Sequence, residues 1–211
     1  MTYSVREIYF TLQGEGARTG RPAVFLRFAG CNLWSGRERD RAGAVCRFCD
    51  TEFVGTDGPG GGKFASAAAL ADAVASHWPG GGEPYVVCTG GEPLLQLDAA
   101  LIDALHGRGF EIGVESNGTL AAPLGIDWLC ISPKGNAPLV QDSGNELKLV
   151  YPQVEEQAQP ERFKHLAFDE FFLQPLDDAD RRANTQRAVE YCLAHPQWQL
   201  SLQTHKILGI D

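Results

Sequence analysis

Seven short runs of β-branched, aromatic and other apolar residues recur along the chain, at 23–28, 85–88, 110–114, 128–131, 146–150, 171–173 and 198–202. Several are apolar almost throughout, as strands covered on both faces of a parallel sheet must be. Three segments of helical periodicity fall between or beside them. The first, 66–78, aligns Leu70 and Val74 with several alanines and stops at Pro79-Gly80-Gly81-Gly82. The second, 94–105, follows Pro93 and aligns Leu97, Leu101, Ile102 and Leu105. The third, 180–194, opens on Asp177, Asp178 and Asp180, is expected to bury Val189, Cys192 and Leu193, and is halted by Pro196. Strands interspersed with helices predict an α/β fold. About six parallel strands and three main helices are too few for a closed eightfold barrel, so a partial, TIM-like barrel is expected. At 211 residues the chain reads as one domain spanning 1–211.

Polar clusters follow these runs. Ala29-Gly30-Cys31 come after the first, Thr89-Gly90-Gly91-Glu92 after the second, Glu115-Ser116-Asn117 after the third and Ser132-Pro133-Lys134 after the fourth; Gln174 follows the sixth, and Gln203-Thr204-His205 the seventh. In barrels and open α/β sheets the carboxyl ends of the strands carry the site, so a cavity lined from many strands is expected. Glycine accounts for 24 of 211 residues, above the usual ~7%, which predicts many tight turns or close backbone approaches. The 18 Lys+Arg against 27 Asp+Glu give a net charge of -9. That balance disfavours nucleic acid and anionic membranes as partners and favours a small molecule. No apolar run approaches the ~18 residues of a membrane span, and 1–10 holds Arg6 and Glu7 where an export signal needs apolar residues. A cytoplasmic location is expected, with the six cysteines in metal, redox or buried roles. Cys88, Cys130 and Cys192 sit in apolar runs and read as core residues.

Cys31, Cys46 and Cys49 form C-x14-C-x2-C on the loop 31–50. Three sites compete for this spacing. A structural zinc needs a fourth ligand, yet no second C-x2-C or H-x3-5-H occurs, and His77, His106, His165, His195 and His205 are distant in sequence. A dithiol at Cys46 and Cys49 leaves Cys31 without a role. An iron-sulfur cluster on three thiolates leaves one iron open to a ligand.

Cys46-Arg47-Phe48-Cys49, the upstream Cys31 and the Thr89-Gly90-Gly91-Glu92 turn together resemble the radical S-adenosylmethionine (SAM) superfamily. Most members separate the first two cysteines by three residues, where this chain has fourteen. The insertion Asn32-Leu33-Trp34-Ser35-Gly36-Arg37, with Tyr9-Phe10-Thr11-Leu12-Gln13-Gly14-Glu15-Gly16 before it and Cys49-Asp50-Thr51 after it, resembles the 7-carboxy-7-deazaguanine synthase family of queuosine and deazapurine biosynthesis. The likeness continues through Glu115-Ser116-Asn117-Gly118, Ser132-Pro133-Lys134, Asn145-Glu146-Leu147-Lys148, Gln174-Pro175 and Gln203-Thr204-His205-Lys206.

The resemblance implies that Cys31, Cys46 and Cys49 hold a [4Fe-4S] cluster whose open iron binds SAM. It implies SAM contacts at Phe48, Cys49, Asp50, Gly90, Gly91, Glu92, Glu115, Ser132, Pro133, Lys134, Gln174, Pro175, Leu176 and Asp177. The implied substrate is 6-carboxy-5,6,7,8-tetrahydropterin, read by Leu12, Gln13, Gly14, Glu15, Arg27, Thr89 and the main-chain carboxylate of Asp211, with Thr51 as a Mg2+ ligand. The implied reaction is a radical ring contraction with loss of ammonia, catalysed by a homodimer that receives electrons from a flavodoxin-like donor. Read from the residues alone, Arg27 pairs its planar fork with a ligand carboxylate or with a structural Asp or Glu. Lys148 is equally a solvated strand-end charge, and His205 faces the cavity or caps a strand. Arg37 to Arg41 form a solvated face or a docking surface. Two other functions fit parts of the pattern: a small enzyme that activates a glycyl-radical partner, and a non-catalytic zinc or iron-sulfur module.

Overall fold

The computed structural model describes residues 2–210; Asp211 lies outside the described residues, and its expected substrate contact with it. Among the described residues nine strands form one sheet: β1 (Tyr3–Leu12), β2 (Pro22–Phe28), β3 (Gly62–Phe64), β4 (Tyr85–Gly90), β5 (Glu111–Ser116), β6 (Trp128–Ile131), β7 (Ser143–Tyr151), β8 (Ala167–Pro175) and β9 (Trp198–Leu200). Their order is β3-β1-β2-β4-β5-β6-β7-β8-β9. Pairing is parallel from β2 through β9, and β1 runs antiparallel between β2 and β3. The sheet does not close, so the architecture is the expected partial barrel. The seven parallel strands correspond to the seven apolar runs.

Strands β1 and β3 were not anticipated. A bulge between Val5 and Glu7 breaks the alternation of β1, so its buried Tyr3, Val5 and Ile8 do not fall on one period-two face. β3 is only three residues long.

The helices are α1 (Ala67–Ser76), α2 (Ala99–His106), α3 (Arg181–Ala194) and α4 (Thr204–Leu208). Ser66 caps α1 by accepting from the Ala69 amide. The periodic stretch 94–105 divides into a 3-10 turn at Pro93–Leu95 and α2, because Asp98 accepts from the Leu101 amide and starts a new helix there. Gln96, in between, is occupied with the backbone of Ser4 and Ala29. The expected burial on α3 is corrected. Asn184 and Ala188 face inward, Val189 and Cys192 are half-buried, and Leu193 is exposed. Asn184 sets that rotation by donating to the Leu176 carbonyl and to Asp178. Cys192 is half-buried at the edge of the core rather than fully buried, whereas Cys88 and Cys130 are buried as expected.

The two faces of the sheet differ. The outer face carries Val24, Leu26, Phe28, Val86, Cys88, Ile112, Val114, Ile131, Leu147 and Leu173, packed in one cluster with Leu70, Val74, Leu101, Ile102 and Leu105 of the helices. Each such side chain contributes roughly 1.5–3 kcal/mol on burial, which makes this face the main source of stability. The inner face holds a smaller apolar cluster at its lower end, where Ala23, Tyr85 and Val87 meet Phe25. Gly113 leaves room for Tyr85, since a Cβ there would lie 2.2 Å from the hydroxyl. Arg18 and Arg21 close that end, stacking over Trp128 and Tyr85 at 4.2 and 4.0 Å and pairing with Glu111. Above this plug the inner face turns polar.

Candidate active site

On strands, residues two apart share a face. The inner face above the plug thus collects Arg27 of β2, Thr89 of β4, Glu115 of β5, Lys148 of β7 and Gln174 of β8, with Ser132 just past β6. Two adjoining cavities open there. The first is lined by Cys31, Cys46, Cys49, Gly90, Gly91, Lys134, Lys148 and the 174–177 segment, among others. The second is lined by Glu7, Tyr9, Leu12, Gln13, Gly14, Arg27, Glu52 and His205, among others. Glu15, Asp50, Thr51, Thr89, Glu115 and Gln203 belong to both.

The three cysteines are free thiols converging on the first cavity. The loop that carries them is held from outside. Arg41 stacks over Trp34 at 4.1 Å and donates to the carbonyls of Arg47 and Cys49. Trp34 packs edge-on against buried Phe53 at 5.7 Å. Arg41 therefore leaves the solvated face expected for 37–41, while the preceding four residues stay exposed. Cys46 and Cys49 interact directly. Hydrogen bonding to Cys46 is the largest influence that holds the Cys49 thiol down at about 6, and the same bond together with burial pushes Cys46 up. Burial raises Cys31. Among the described residues, no group of three or more His, Cys, Asp or Glu is placed to hold a single metal ion.

Beside Cys31 runs the Gly90-Gly91 wall. A Cβ on Gly91 would lie 2.1 Å from the Gly30 carbonyl oxygen and 2.7 Å from Cys31 Cβ, so only glycine fits. Glu92 departs from the expected ligand role. It is fully buried and does not line the first cavity. Its carboxylate accepts from the amides of Leu94 (2.9 Å) and Asn117 (2.8 Å) and from the Ser116 hydroxyl (2.8 Å), which fixes the turn and the end of β5. Burial raises its pKa against those donors. Pro133 is buried beside Ser132 and likewise does not line the cavity, whereas Lys134 does and donates to the Ser132 carbonyl. Phe48, Asp50, Glu115, Ser132, Gln174, Pro175, Leu176 and Asp177 also line this cavity.

A buried network joins the two cavities. Lys148 bridges Glu15 (2.9 Å) and Glu115 (2.7 Å) with 4% of its side chain exposed, which corrects the solvated strand-end reading. Gln13 donates to Glu115 and accepts from the Glu15 amide. Gln203 donates to the other oxygen of Glu15 at 3.0 Å. Burial opposes the Glu15 charge, but the nearby Lys148 ammonium prevails and holds its carboxyl at about 2. The signal for Lys148 was its parity: it is two residues from Glu146, on the same inward face, in a run whose other residues, Leu147, Leu149 and Val150, are apolar.

In the second cavity, Arg27 donates to Glu7 (2.7 Å) and to the Tyr9 hydroxyl (2.7 Å), its structural partners in the register that places Glu7 opposite Arg27. His205 faces this cavity and lies so close to Gly14 that a Cβ there would meet the imidazole at 2.3 Å. Thr204 donates twice to the Gly14 carbonyl. Sequence reasoning gave Lys206 no role. It pairs with Asp50 and Asp177, both at 2.6 Å, and so ties α4 to the cysteine loop and to the first cavity's wall.

No protein-family model matches the chain. It is 67% identical over 211 residues to the 7-carboxy-7-deazaguanine synthase of Caulobacter vibrioides, covering 100% of both chains. It is 66% identical over 213 residues to that of Bordetella pertussis, again covering 100% of each. The crystal structure of QueE from Escherichia coli aligns with a TM-score of 0.72 at 29% identity, over 96% of this chain and 94% of that one.

Proposed function

Since the chain belongs to the 7-carboxy-7-deazaguanine synthases, enzymes of radical SAM type that serve queuosine biosynthesis, we propose that its first cavity holds a [4Fe-4S] cluster with SAM and its second a carboxypterin. The observation that carries this reading is the wall the two cavities share. A hydrogen atom must pass between SAM and substrate at near contact with water excluded, and adjoining cavities allow that.

The donor set suits the cluster. Three free thiols line one cavity, and Gly91 keeps the space beside Cys31 clear. Cys31, Cys46 and Cys49 would hold it. When bound, it supplies the electron that cleaves the sulfonium to yield the hydrogen-abstracting radical. Residues 48–50, Gly90, Gly91, Glu115, Ser132, Lys134 and 174–177 then position SAM. Glu92 and Pro133 support that wall from behind.

In the second cavity, the backbone of Leu12 to Gly14 and the anionic Glu15 accept the N-H groups of the pterin edge, beside Thr89. Arg27 presents its guanidinium to the substrate carboxylate, its Glu7 and Tyr9 partners fixing the fork's orientation. Thr51 offers Mg2+ one hydroxyl on the shared wall, so substrate oxygens and water must complete the site. The reaction is conversion of 6-carboxy-5,6,7,8-tetrahydropterin to 7-carboxy-7-deazaguanine and ammonia. The enzyme works in the cytoplasm as one domain, as a homodimer, with a flavodoxin-like donor.

The test is a product assay. Protein reconstituted with iron and sulfide, then reduced and given SAM, Mg2+ and the carboxypterin, yields the deazaguanine chromophore and one ammonia per turnover. A reconstituted cluster that cleaves SAM but leaves the carboxypterin unchanged would overturn the substrate assignment.

A further inference from the structure

Lys148 is a buried cation on the wall of the first cavity, and its two partners, Glu15 and Glu115, are carboxylates that both cavities share. Its position follows from the sheet. Glu146 precedes it on the same face of β7, and Cys130 of β6 stands opposite both Glu115 and Glu146 in register. The titratable groups facing Lys148 are thus Glu15, Glu115, Glu146 and Cys130. Burying an ammonium is costly, and an apolar side chain at such a position is often no less stable. A charge retained at this place therefore points to chemistry.

Resting on the function proposed above, we propose that Lys148 is the acid that releases ammonia and that Glu115 is its paired base. After ring contraction, loss of ammonia breaks one C-N bond and one C-H bond on the adjacent carbon. The C-H electron pair becomes the ring double bond, and the C-N pair leaves on nitrogen. Lys148 Nζ gives the departing NH2 its third hydrogen as a proton, and a Glu115 oxygen takes the proton from carbon. Passage of that proton along the 2.7 Å hydrogen bond between Glu115 and Lys148 restores both groups. No oxidant, reductant or outside proton is required. Glu15, held by Lys148 and Gln203, remains the anion that balances the pair.

The test compares Lys148→Arg and Lys148→Met in reconstituted enzyme supplied with SAM, Mg2+ and carboxypterin deuterated at C6. Arginine keeps the charge and the ion pairs but does not surrender a proton near neutral pH. In Lys148→Arg, deuterium transfer from substrate to the SAM-derived adenosyl group stays within about threefold of wild type, while ammonia release falls on the order of 100-fold or more. An amine of the substrate's own mass accumulates. Ammonia release at the wild-type rate by either variant would overturn the proposal. So would parallel loss of deuterium transfer and ammonia release in Lys148→Arg, the mark of a structural residue. If neither variant folds, Lys148→Ala with added ethylammonium decides: restored ammonia release supports the role, and none at saturation refutes it. A wild-type enzyme that transfers deuterium and makes no ammonia would instead sink the function reading, and this proposal with it.

Discussion

Gly91→Ala isolates the close approach on which the first cavity depends. Gly91 does not need a left-handed backbone; it needs space. An added methyl would lie 2.1 Å from the Gly30 carbonyl oxygen, 2.6 Å from its carbon and 2.7 Å from Cys31 Cβ. Two of these atoms are backbone, so no rotamer change relieves the clash, and the Gly30-Cys31 segment must move by about 1 Å to regain ordinary contact. Overpacking of this kind costs about 1–3 kcal/mol. The Glu92 amide bond to the Gly30 carbonyl (3.0 Å) is strained at the same time, adding about 1 kcal/mol. A total near 3 kcal/mol lowers Tm by about 6–12 °C for a chain this long. The control is Gly20→Ala, at φ 88 with nothing within 4 Å, which carries backbone strain alone, about 1 kcal/mol. Calorimetry of the cluster-free proteins gives the stability difference, and iron content after reconstitution reports whether Cys31 still reaches its place. A Gly91→Ala protein as stable as Gly20→Ala, with full iron loading, would refute the packing argument.

The remaining expectations are direct. Cys46→Ala removes one of the three thiolates, so reconstituted protein lacks the SAM-responsive electron paramagnetic resonance signal; persistence of that signal rejects the ligand set. Arg27→Lys keeps charge but loses the planar fork, and it raises the carboxypterin KM more than tenfold with the SAM Kd unchanged; an unchanged KM leaves Arg27 as merely Glu7's partner. Glu15 is held at about 2, below its ordinary value of 4.5, so its stabilisation is complete above pH ~4.5 and is lost as pH falls toward 2. At 1.36 kcal/mol per unit the bound is about 3 kcal/mol. The stability gap between wild type and Glu15→Gln, measured by urea unfolding, should therefore narrow from pH 6 to pH 3, and a constant gap refutes the assignment. Because Thr51 offers one hydroxyl, chelating Mg2+ weakens carboxypterin binding and leaves SAM binding intact in equilibrium dialysis.

Fold class and much of the site were legible in the residues, because both rest on local pattern. The apolar runs mark strands covered on two faces, and polar residues after them mark the strand ends that line the cavities. Cys31 and Gly91 follow such runs, and Cys46 and Cys49 stand out by their spacing, whereas the Leu12-to-Glu15 segment and the roles of all these residues came from the family resemblance. What escaped depends on partners far apart in sequence. Glu92 reads as a ligand until the ends of β5 supply it with donors from Ser116 and Asn117, and Arg27 gains Glu7 only through the antiparallel register of β1. Lys148 looks like a surface charge when β7 is read alone; its burial requires Glu15 from a hairpin and Glu115 from another strand to neutralise it. Periodicity is a property of one segment and survives in sequence, whereas the cost of burying a charge is settled only by what the fold brings beside it.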